Sequence, residues 1–578
     1  MAERDRRIEE LENAVVQLTR QLGGMEPVSS QNDGDNTARA VEDGAADAGK
    51  RRAEQVQADL IPADDGGEAA PADTTGAVDE TALDAPHTLG GVRLTMEQRR
   101  IIDAVQRAAT DGRHLRVVAY AGAGKTSTLR FASQYLSRPV YLAFNKAVAE
   151  DAKKSFPRHV TTKTVHALAF KAMNLSRSVT RQNLNSTFIK ELIENHWQGK
   201  APDHGERRLL ANVIASYCQS AEDAIDESHV AQATGTPLDR VNPDAAKPVI
   251  QQAASIYDTI LKNVEGWPHP VYLKQFERSP EQIRAAFQSF TVLLLDEAQD
   301  LNPVQRHIAT QAGLPTVAIG DPRQQIYSWR GAEDALEYFG GDTLYLSQSF
   351  RFDPAIAGRA HAVLAAHPDG PPPVPLAGTP DLPRRGDGHA ILCRSNVGVI
   401  LSASDAYKAG RRVRIAASFE DIRERIHSAV ALYEGNLGNV THSAVRAFGT
   451  WDELKHASSV DPELRWLSRE VEKGTLLKDL ERAEKALAAR AADADLTIAT
   501  VHQAKGQEWP HVALRDDFPT LADLSVKWKE AVRLGNEAMK REIREEYHVL
   551  YVALTRTQDR LLLPDDLGNE ITGADAGA

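Results

Sequence analysis

Short apolar runs alternate with helical patterns along most of the chain. A first series of strand-like runs, rich in Val, Ile, Leu and aromatic residues, comprises LRVVAY (115–120), RPVYLAF (138–144), FTVLLLDEA (290–298) and TVAIG (316–320). A second series comprises DTLYLS (342–347), HAILCRS (389–395), LTIATVH (496–502) and RLLLP (560–564). Continuous apolar strands separated by helices are typical of parallel sheets that are buried on both faces. The pattern therefore predicts an α/β fold with two parallel-sheet units.

Between these runs lie two long stretches with helical patterns and weak strand signals, and we interpret them as inserted, mainly helical subdomains. The Pro-rich segment at 368–383 is expected to be a surface connection. The predicted division is a first unit at 89–173 and 288–333, an inserted subdomain 1B at 174–287, a second unit at 334–429 and 492–578, and an inserted subdomain 2B at 430–491.

The first 88 residues have a different pattern from the rest of the chain. In residues 1–22 the apolar positions alternate three and four apart, at Ile8, Leu11, Val15, Leu18 and Leu22. This spacing favours either a short coiled coil that recruits a protein partner or a solvated helix with one apolar stripe. Residues 23–88 are rich in Ala, Asp, Gly, Glu and Pro, which predicts a disordered acidic linker.

The net charge of -13 first argues against a nucleic-acid partner, but the charge is unevenly placed. Residues 1–88 hold 20 Asp and Glu against 8 Lys and Arg, whereas the remaining residues hold 61 acids and 60 bases. The acidity therefore belongs to the N-terminal segment, and the rest of the chain can carry a local basic groove.

The cysteines and the hydropathy pattern bear on the compartment. The two cysteines, Cys218 and Cys393, form neither a metal-binding spacing nor a redox pair, which favours a reducing compartment. The N-terminus MAERDRRIEE is charged and no apolar run approaches membrane-spanning length, so we expect neither a signal peptide nor a membrane helix. These features predict a cytoplasmic protein, in the nucleoid or nucleus depending on the host.

The strand LRVVAY leads directly into the small-residue segment AGAGKTSTL. Residues 119–126 fit the pattern A-x-x-x-x-G-K-T, in which backbone N–H groups surround phosphate oxygens and the next helix points its N-terminus at them. Lys125 would contact the β and γ phosphates and Thr126 would hold Mg²⁺. The agreement of strand, loop and helix argues against a chance glycine-rich turn. The residues predicted to bind phosphate are Ala121, Gly122, Ala123, Gly124, Lys125, Thr126 and Ser127.

The segment LLLDEAQD places Asp296 and Glu297 after an apolar strand. One carboxylate suits Mg²⁺, and its neighbour can orient and deprotonate an attacking water. Acidic residues are also common at helix N-termini, so the Asp296–Glu297 pair indicates a catalytic site only in combination with the phosphate loop.

DEAQD together with GDPRQQIYSWRGA (320–332) resembles the superfamily 1 helicases of the UvrD/Rep type. Within that family, the segments at 140–170 and 271–276 are most similar to the F-box DNA helicase branch, although no F-box-like segment is visible. The resemblance covers about 89–565 and implies two RecA-like domains. The other similar segments are LTMEQRRII (94–102), LSQSFRF (346–352), TVHQAKGQEW (500–509) and EEYHVLYVALTRTQDRL (545–561).

The resemblance implies ATP and Mg²⁺ as cofactors and assigns residues around them. Gln98 would read adenine, and Phe350 would stack on it where the family usually has Tyr. Glu508 would meet the ribose or the metal, which Asp296 and Thr126 would hold.

The resemblance also implies the catalytic groups. Glu297 would be the base, Gln324 would sense the γ phosphate, and Arg351 and Arg556 would reach that phosphate from the second unit. Taken alone, Arg556 could equally be a surface salt-bridge residue.

A further set of residues would line the strand of DNA. Two aromatic residues two apart, Tyr327 and Trp329, beside Arg330 suit bases that stack without sequence preference. Tyr327 could also belong to the core, and His166 and His502 could be buried polar residues with partners. The Thr that relatives carry in the early DNA motif is absent from LAFNKAV. The residues with an implied DNA contact are Phe144, Asn145, His166, Tyr327, Trp329, Arg330 and His502.

These features together predict an ATP-dependent DNA helicase that moves on single-stranded DNA, unwinds forked DNA and serves repair or recombination, and the family resemblance implies that it moves 3′-to-5′. One alternative is a translocase that strips bound proteins, such as recombinase filaments, without productive unwinding. Another is a switch or scaffold with degenerate chemistry, against which the intact Lys125, Glu297, Gln324 and Arg556 argue. The sequence shows no cluster of acidic residues typical of a nuclease, so we do not predict that the protein cuts DNA.

Overall fold

The protein was analysed as a computed structural model of the chain. The structure describes residues 88–89, 92–143, 146–175, 184–196, 202, 204–234, 238, 241–262, 267–326, 335–380, 382, 386, 388–446, 448–458 and 462–573. The predicted coiled coil at 1–22 and almost all of the predicted linker at 23–88 lie outside these residues.

Two parallel sheets organise the described part of the chain, preceded by a short antiparallel pair, β1 (Thr88–Leu89) and β2 (Val92–Arg93). The first sheet has the order β5-β4-β6-β7-β3-β8. Its strands are β3 (Leu115–Ala119), β4 (Pro139–Ala143), β5 (Thr161–Thr164), β6 (Val292–Leu295), β7 (Thr316–Gly320) and β8 (Asp342–Leu346). Every pairing in it is parallel, and β4, β6 and β7 are buried along their whole length, as uninterrupted apolar runs require.

The second sheet has the order β10-β11-β9-β12-β13, and it is also parallel throughout. Its strands are β9 (His389–Cys393), β10 (Val413–Ile415), β11 (Leu496–Thr500), β12 (Trp509–Leu514) and β13 (Thr557–Leu562).

Helices surround both sheets. The helices that precede or connect the strands of the first sheet are α1 (Met96–Asp111), α2 (Lys125–Ala132), α3 (Lys146–Ser155), α4 (Val165–Ala172), α5 (Ser186–His196), α6 (His204–Tyr217), α7 (Glu227–Thr234), α8 (Pro243–Lys262), α9 (His269–Glu277), α10 (Pro280–Phe287), α11 (Pro303–Gln311) and α12 (Ala335–Tyr338). Those that precede, connect or follow the strands of the second sheet are α13 (Pro354–Ala365), α14 (Asn396–Lys408), α15 (Phe419–Tyr433), α16 (Ser443–Arg446), α17 (Trp451–Ala457), α18 (Pro462–Glu472), α19 (Leu476–Ala486), α20 (Val501–Ala504), α21 (Leu521–Arg533), α22 (Glu537–Leu554) and α23 (Asp565–Gly573).

The two inserted stretches are helical in their described residues, and each shares a core with the sheet beside it. One cluster of buried side chains joins Val140 and Leu293 of the first sheet to Ile214 and Phe276 of the first insertion. Another joins Ile498 of the second sheet to the helices that follow β10. The insertions are therefore packed extensions of the two sheets and not separate cores.

The predicted boundary between the two units is wrong by at least one strand. The run 342–347 was assigned to the second unit, but β8 pairs with β3 along Leu115–Ala119 and completes the first sheet. An apolar run shows that a strand is buried, but it does not show which sheet the strand joins.

Besides the short β1 and β2, three strands of the two parallel sheets were not recognised in the sequence. β5 lies at an edge of the first sheet and consists of Thr and Lys, and β10 is an edge strand of three residues. β12 begins at Trp509, the last residue of the segment TVHQAKGQEW (500–509), which was interpreted by its resemblance alone. No helix in the described part of the chain is both long and apolar enough to cross a membrane.

Candidate nucleotide site between the two sheets

The phosphate loop connects the end of β3 to the start of α2 at Lys125. Gly122 and Gly124 have φ angles of 72° and 82°, in the left-handed region that favours glycine. A Cβ on Gly122 would lie 2.5 Å from Ser349 Oγ and 2.6 Å from Arg351 Cβ. The Gly122 carbonyl also accepts a hydrogen bond from the Phe350 N–H at 2.9 Å. The loop therefore needs glycine both for its backbone conformation and for the close approach of residues 349–351.

Asp296 is the first residue after β6, and its side chain faces the phosphate loop. Its Oδ2 accepts hydrogen bonds from Thr126 Oγ1 at 2.6 Å and from the Tyr141 hydroxyl at 2.8 Å. Burial, and then the charge of Glu297, raise the pKa of Asp296. A carboxylate and a hydroxyl are oxygen ligands of the kind that Mg²⁺ prefers, and a cation would favour the ionised carboxylate. Thr126 and Asp296 therefore fit a Mg²⁺ ion.

Glu297 adopts a left-handed backbone conformation with φ 51°, which is uncommon for a residue other than glycine and is often found at functional sites. Its Oε2 lies 3.7 Å from Lys125 Nζ and accepts a hydrogen bond from Gln299 Nε2 at 2.8 Å. Desolvation alone would raise the pKa of Glu297, but Lys125 and Lys505 outweigh it and the net shift is downward. The side chain is therefore ionised and can accept a proton.

Gln324 and Arg556 meet from opposite sheets. Arg556 Nη2 donates to Gln324 Oε1 at 3.3 Å, and Gln324 Nε2 donates to Asp321 Oδ2 at 2.7 Å. The Arg556 side chain is buried, and burial, followed by the charge of Arg351, lowers its pKa to about 9. The group still carries its charge at neutral pH, and its hydrogen bonds go to neutral oxygens. An anion in this cleft would stabilise it.

Arg351 approaches the same cleft from the chain segment after β8. Its Nε donates to Glu508 Oε2 at 2.6 Å, and its Nη1 donates to the Thr555 carbonyl at 2.8 Å. Arg351, which is predicted to reach the γ phosphate, is thus paired with Glu508, which is predicted to contact the ribose or the metal.

Gln98 and Phe350 flank the glycine that precedes Lys125. A Cβ on Gly124 would lie 3.4 Å from Gln98 Nε2 and 3.9 Å from Phe350 Cδ2. Gln98 is also the third residue of α1, where it closes a capping box with Thr95. The two residues assigned to adenine therefore lie together although they are distant in sequence. Of the remaining predicted loop residues, Ala121 and Ala123 are buried and Ser127 is exposed.

Only two of the predicted DNA contacts lie within the described residues. His166 and His502 each follow the C-terminal end of a strand, β5 and β11 respectively. Burial lowers both pKa values to about 4, with a further contribution from His269 to His166 and from Arg394 to His502. Both rings are therefore neutral at pH 7 and suited to stacking or hydrogen bonding. Phe144, Asn145, Tyr327, Trp329 and Arg330 lie outside the described residues.

Two side chains that the sequence interpretation did not single out connect the two sheets. Lys505 Nζ donates at 2.7 Å to both carboxylate oxygens of Asp300 and to the Gln324 carbonyl. The Tyr551 hydroxyl accepts from the Ala121 N–H at 3.1 Å and donates to Asp321 Oδ2 at 3.0 Å. Both residues fall inside segments that carry the family resemblance, but the sequence alone does not reveal their partners.

A third group that the sequence did not single out follows β9. Arg394 forms a bidentate ion pair with Glu546, which is 7% exposed, and Arg394 also contributes to the lowered pKa of His502. This pair fixes the surroundings of His502 at the C-terminal edge of the second sheet.

A phosphate loop on one parallel sheet, facing the buried Arg556 from the region of a second parallel sheet, defines a two-domain nucleotide-binding protein of the P-loop class. Comparison with known proteins narrows this class. The model of the UvrD/REP helicase N-terminal domain matches residues 102–336, and that of the UvrD-like helicase C-terminal domain matches residues 452–564. Together they cover more than half of the chain, which therefore belongs to the UvrD-like helicase family.

Individual relatives agree with this assignment. F-box DNA helicase 1 of Gallus gallus is 29% identical over 526 residues, which are 83% of this chain and 50% of the relative. F-box DNA helicase protein 1 of Schizosaccharomyces pombe is 28% identical over 545 residues, 85% of this chain and 59% of the relative. ATP-dependent DNA helicase PcrA of Bacillus subtilis is 23% identical over 305 residues, 46% of this chain and 39% of the relative. The chain thus spans only part of the length of each relative.

Proposed function

We propose that the protein is an ATP-dependent DNA helicase that binds ATP and Mg²⁺ between its two sheets and moves 3′-to-5′ along single-stranded DNA. Its substrates are single-stranded and forked DNA, in the nucleoid or the nucleus. The relatives named above are DNA helicases, and the polarity is carried over from the family resemblance.

The observation that carries the proposal is the set of polar side chains that meet between the two sheets. The first domain contributes Lys125, Glu297 and Gln324, whereas the second contributes Arg556. Arg556 is a buried cation bonded to neutral oxygens, and its charge interacts with that of Glu297, the partner of Lys125 in the phosphate loop. A site of this composition stabilises negative charge only when both domains are in place.

The roles of the side chains follow from their positions. Mg²⁺, when bound, neutralises charge on the phosphates. Lys125 orients the phosphates, and Glu297, ionised beside it, orients water and accepts its proton. Arg351 and Arg556 stabilise the charge that develops as the terminal phosphate leaves. Gln324 contacts Arg556 of the second domain and Asp321 of the first, so a phosphate that displaces Gln324 would affect both domains.

Coupling to DNA would pass through the contacts that already bridge the domains. Lys505 holds the Gln324 carbonyl, and His502 lies three residues before Lys505 at the end of β11. A change in the separation of the sheets therefore moves a nucleotide contact and a proposed DNA contact together. Repeated closing and opening would shift the strand stepwise.

The test is a pair of strand-separation assays with the purified chain, using duplexes that carry a 3′ or a 5′ single-stranded tail. Unwinding of the 3′-tailed duplex alone, with ATP hydrolysis stimulated by single-stranded DNA, supports the proposal. DNA-stimulated hydrolysis without unwinding, but with removal of a recombinase filament, would favour the stripping translocase instead. Absence of DNA-stimulated hydrolysis would contradict both.

A further inference from the structure

Tyr141 is a fully buried tyrosine in the middle of β4, and its ring packs against Phe156 with centroids 4.6 Å apart. Its hydroxyl donates to Asp296 Oδ2 at 2.8 Å. A buried tyrosine hydroxyl needs a hydrogen-bond partner, and here that partner is the carboxylate that fits Mg²⁺.

The geometry fixes the Asp296 carboxylate from both sides. Oδ2 accepts from Tyr141 and from Thr126 Oγ1, while Oδ1 accepts from the Glu297 N–H at 3.0 Å. β4 and β6 are hydrogen-bonded neighbours with Tyr141 opposite Leu294, so the hydroxyl is held by the sheet itself. Thr126 is assigned to the metal and Glu297 to the water, which leaves Tyr141 as the donor with no other assigned task.

Tyr141 acts as the donor in its bond to Asp296, because an ionised carboxylate oxygen can only accept a hydrogen bond. A protonated hydroxyl stabilises the ionised carboxylate, which is the form that binds a cation. Hydrogen bonds to a metal-binding carboxylate orient it, and their loss typically weakens metal binding about 10- to 100-fold.

We propose that Tyr141 is a positioning residue for the divalent cation, because its hydroxyl holds the Asp296 carboxylate in the orientation that receives the ion. The inference deepens the proposed function and rests on it, since it takes Mg²⁺ with a nucleotide as the ligand of this site.

The experiment measures how Mg²⁺ strengthens nucleotide binding. A fluorescent, non-hydrolysable ATP analogue is titrated into the full chain in EDTA and at increasing Mg²⁺, for wild type and for two variants without the hydroxyl, Tyr141→Phe and Tyr141→Met. The control is Tyr257→Phe, which removes the hydroxyl of another buried tyrosine, bonded to Gln275 in the first insertion. Electron paramagnetic resonance of Mn²⁺ in place of Mg²⁺ gives a second readout that does not depend on turnover.

Both Tyr141 variants are expected to bind the analogue like wild type in EDTA. The Mg²⁺ concentration that gives half of the gain in affinity should rise about 10- to 100-fold, and Mn²⁺ binding should weaken in parallel. In steady-state hydrolysis the half-activating Mg²⁺ concentration should rise, whereas kcat should recover at saturating Mg²⁺. Tyr257→Phe should match wild type in every measurement.

The outcomes separate the two proposals. Wild type whose nucleotide binding ignores Mg²⁺ would contradict the proposed function itself. A normal Mg²⁺ response in wild type and in both Tyr141 variants would overturn the role of Tyr141 alone. Failure of both variants to fold, while Tyr257→Phe folds, would make Tyr141 a core residue and would also overturn the inference.

Discussion

Asp296 and Glu297 are adjacent acids whose pKa values are shifted in opposite directions. Burial and the neighbouring charge raise the pKa of Asp296, whereas Lys125 and Lys505 bring that of Glu297 down. Environments that separate two carboxyl groups in this way usually give them different tasks. The separation agrees with a cation site at Asp296 and a base at Glu297, and it depends on Lys125 more than on any other cation near Glu297.

Lys125→Ala should abolish ATP hydrolysis and leave binding of single-stranded DNA largely intact. The substitution removes the cation of the predicted phosphate loop, and it also removes the charge that does most to keep Glu297 ionised. ATPase rates and DNA affinity of the purified variant check this, with Lys190→Ala, an exposed lysine of α5, as the control. Normal turnover in Lys125→Ala would contradict the whole assignment of the site.

Arg351→Ala and Arg556→Ala should each reduce kcat steeply while sparing nucleotide affinity. An arginine that stabilises the transition state of phosphoryl transfer contributes on the order of 10³–10⁵ in rate. The matched control is Arg359→Ala, since Arg359 also lies in the second domain and donates to a backbone carbonyl, that of Leu561. Turnover within a few-fold of wild type in both variants would show that neither arginine reaches the phosphate.

The sequence reveals the role of a single residue when that role depends on near neighbours in the chain. Lys125 and Thr126 could be assigned because the loop that orients them is contiguous with them. The bond from Tyr141 to Asp296 spans 155 positions, and the bond from Tyr551 to Asp321 spans 230. Only the sheet order and the contact between the domains bring such pairs together, so their sequence context is that of an ordinary core tyrosine.

Among the elements, the sequence predicts buried strands better than it predicts their partners. β6 and β7 were predicted because runs of four or five mostly apolar residues are buried on both faces. The same pattern in β8 could not decide between two sheets, and the pairing with β3 decided it. β5 escaped notice because an edge strand of Thr and Lys buries little apolar surface.

Lys505 joins the end of α20 to the turn after β6, so its substitution tests how far the protein depends on this connection. The Lys505 and Asp300 side chains are 9% and 3% exposed, so the pair is buried. Removing one partner of a buried ion pair typically costs about 3–5 kcal/mol, because the other charge is left alone. Lys505→Met should therefore lower the unfolding free energy and reduce the stimulation of ATPase by DNA. Adding Asp300→Asn should recover much of the stability but not the stimulation.

The same pair predicts how the loss depends on pH. Burial raises the pKa of Asp300 to about 6 even with Lys505 present. An acid whose folded pKa is raised destabilises the fold as pH rises through the window between its unfolded and folded values. Without Lys505 that folded pKa rises further, so Lys505→Met should lose more stability at pH 8 than at pH 5.5. Chemical denaturation at the two pH values checks this, and an equal loss at both would contradict a buried, ionised Asp300.

For the molecule as a whole, the two domains are joined by apolar packing as well as by polar contacts. One cluster of buried side chains contains Tyr120 and Ala121 of the phosphate loop together with Phe352, Leu550 and Tyr551. The loop thus packs against residues of the second domain, so a shift of the loop would displace side chains of both domains. The sequence predicted two domains and a site between them, but not that the loop itself is part of their shared core.

Charge is unevenly distributed over the whole chain. The buried clusters among the described residues begin at Leu94, so removal of residues 1–88 should leave the thermal unfolding temperature and the DNA-stimulated ATPase close to those of the full chain. Residues 1–88 carry 20 acids and 8 bases, and their net negative charge repels the phosphates of DNA. The shortened protein should therefore bind single-stranded DNA more tightly than the full chain at low salt.

Because that repulsion is long-ranged, it should fade as salt shortens the Debye length to about 3 Å at 1 M ionic strength. The measurement is the affinity of both proteins for a single-stranded oligonucleotide across a series of salt concentrations, in parallel with thermal unfolding. Weaker binding by the shortened, folded protein at every salt concentration would show that residues 1–88 contribute to DNA binding despite their charge. A difference that persists unchanged at high salt would exclude electrostatic repulsion as its cause.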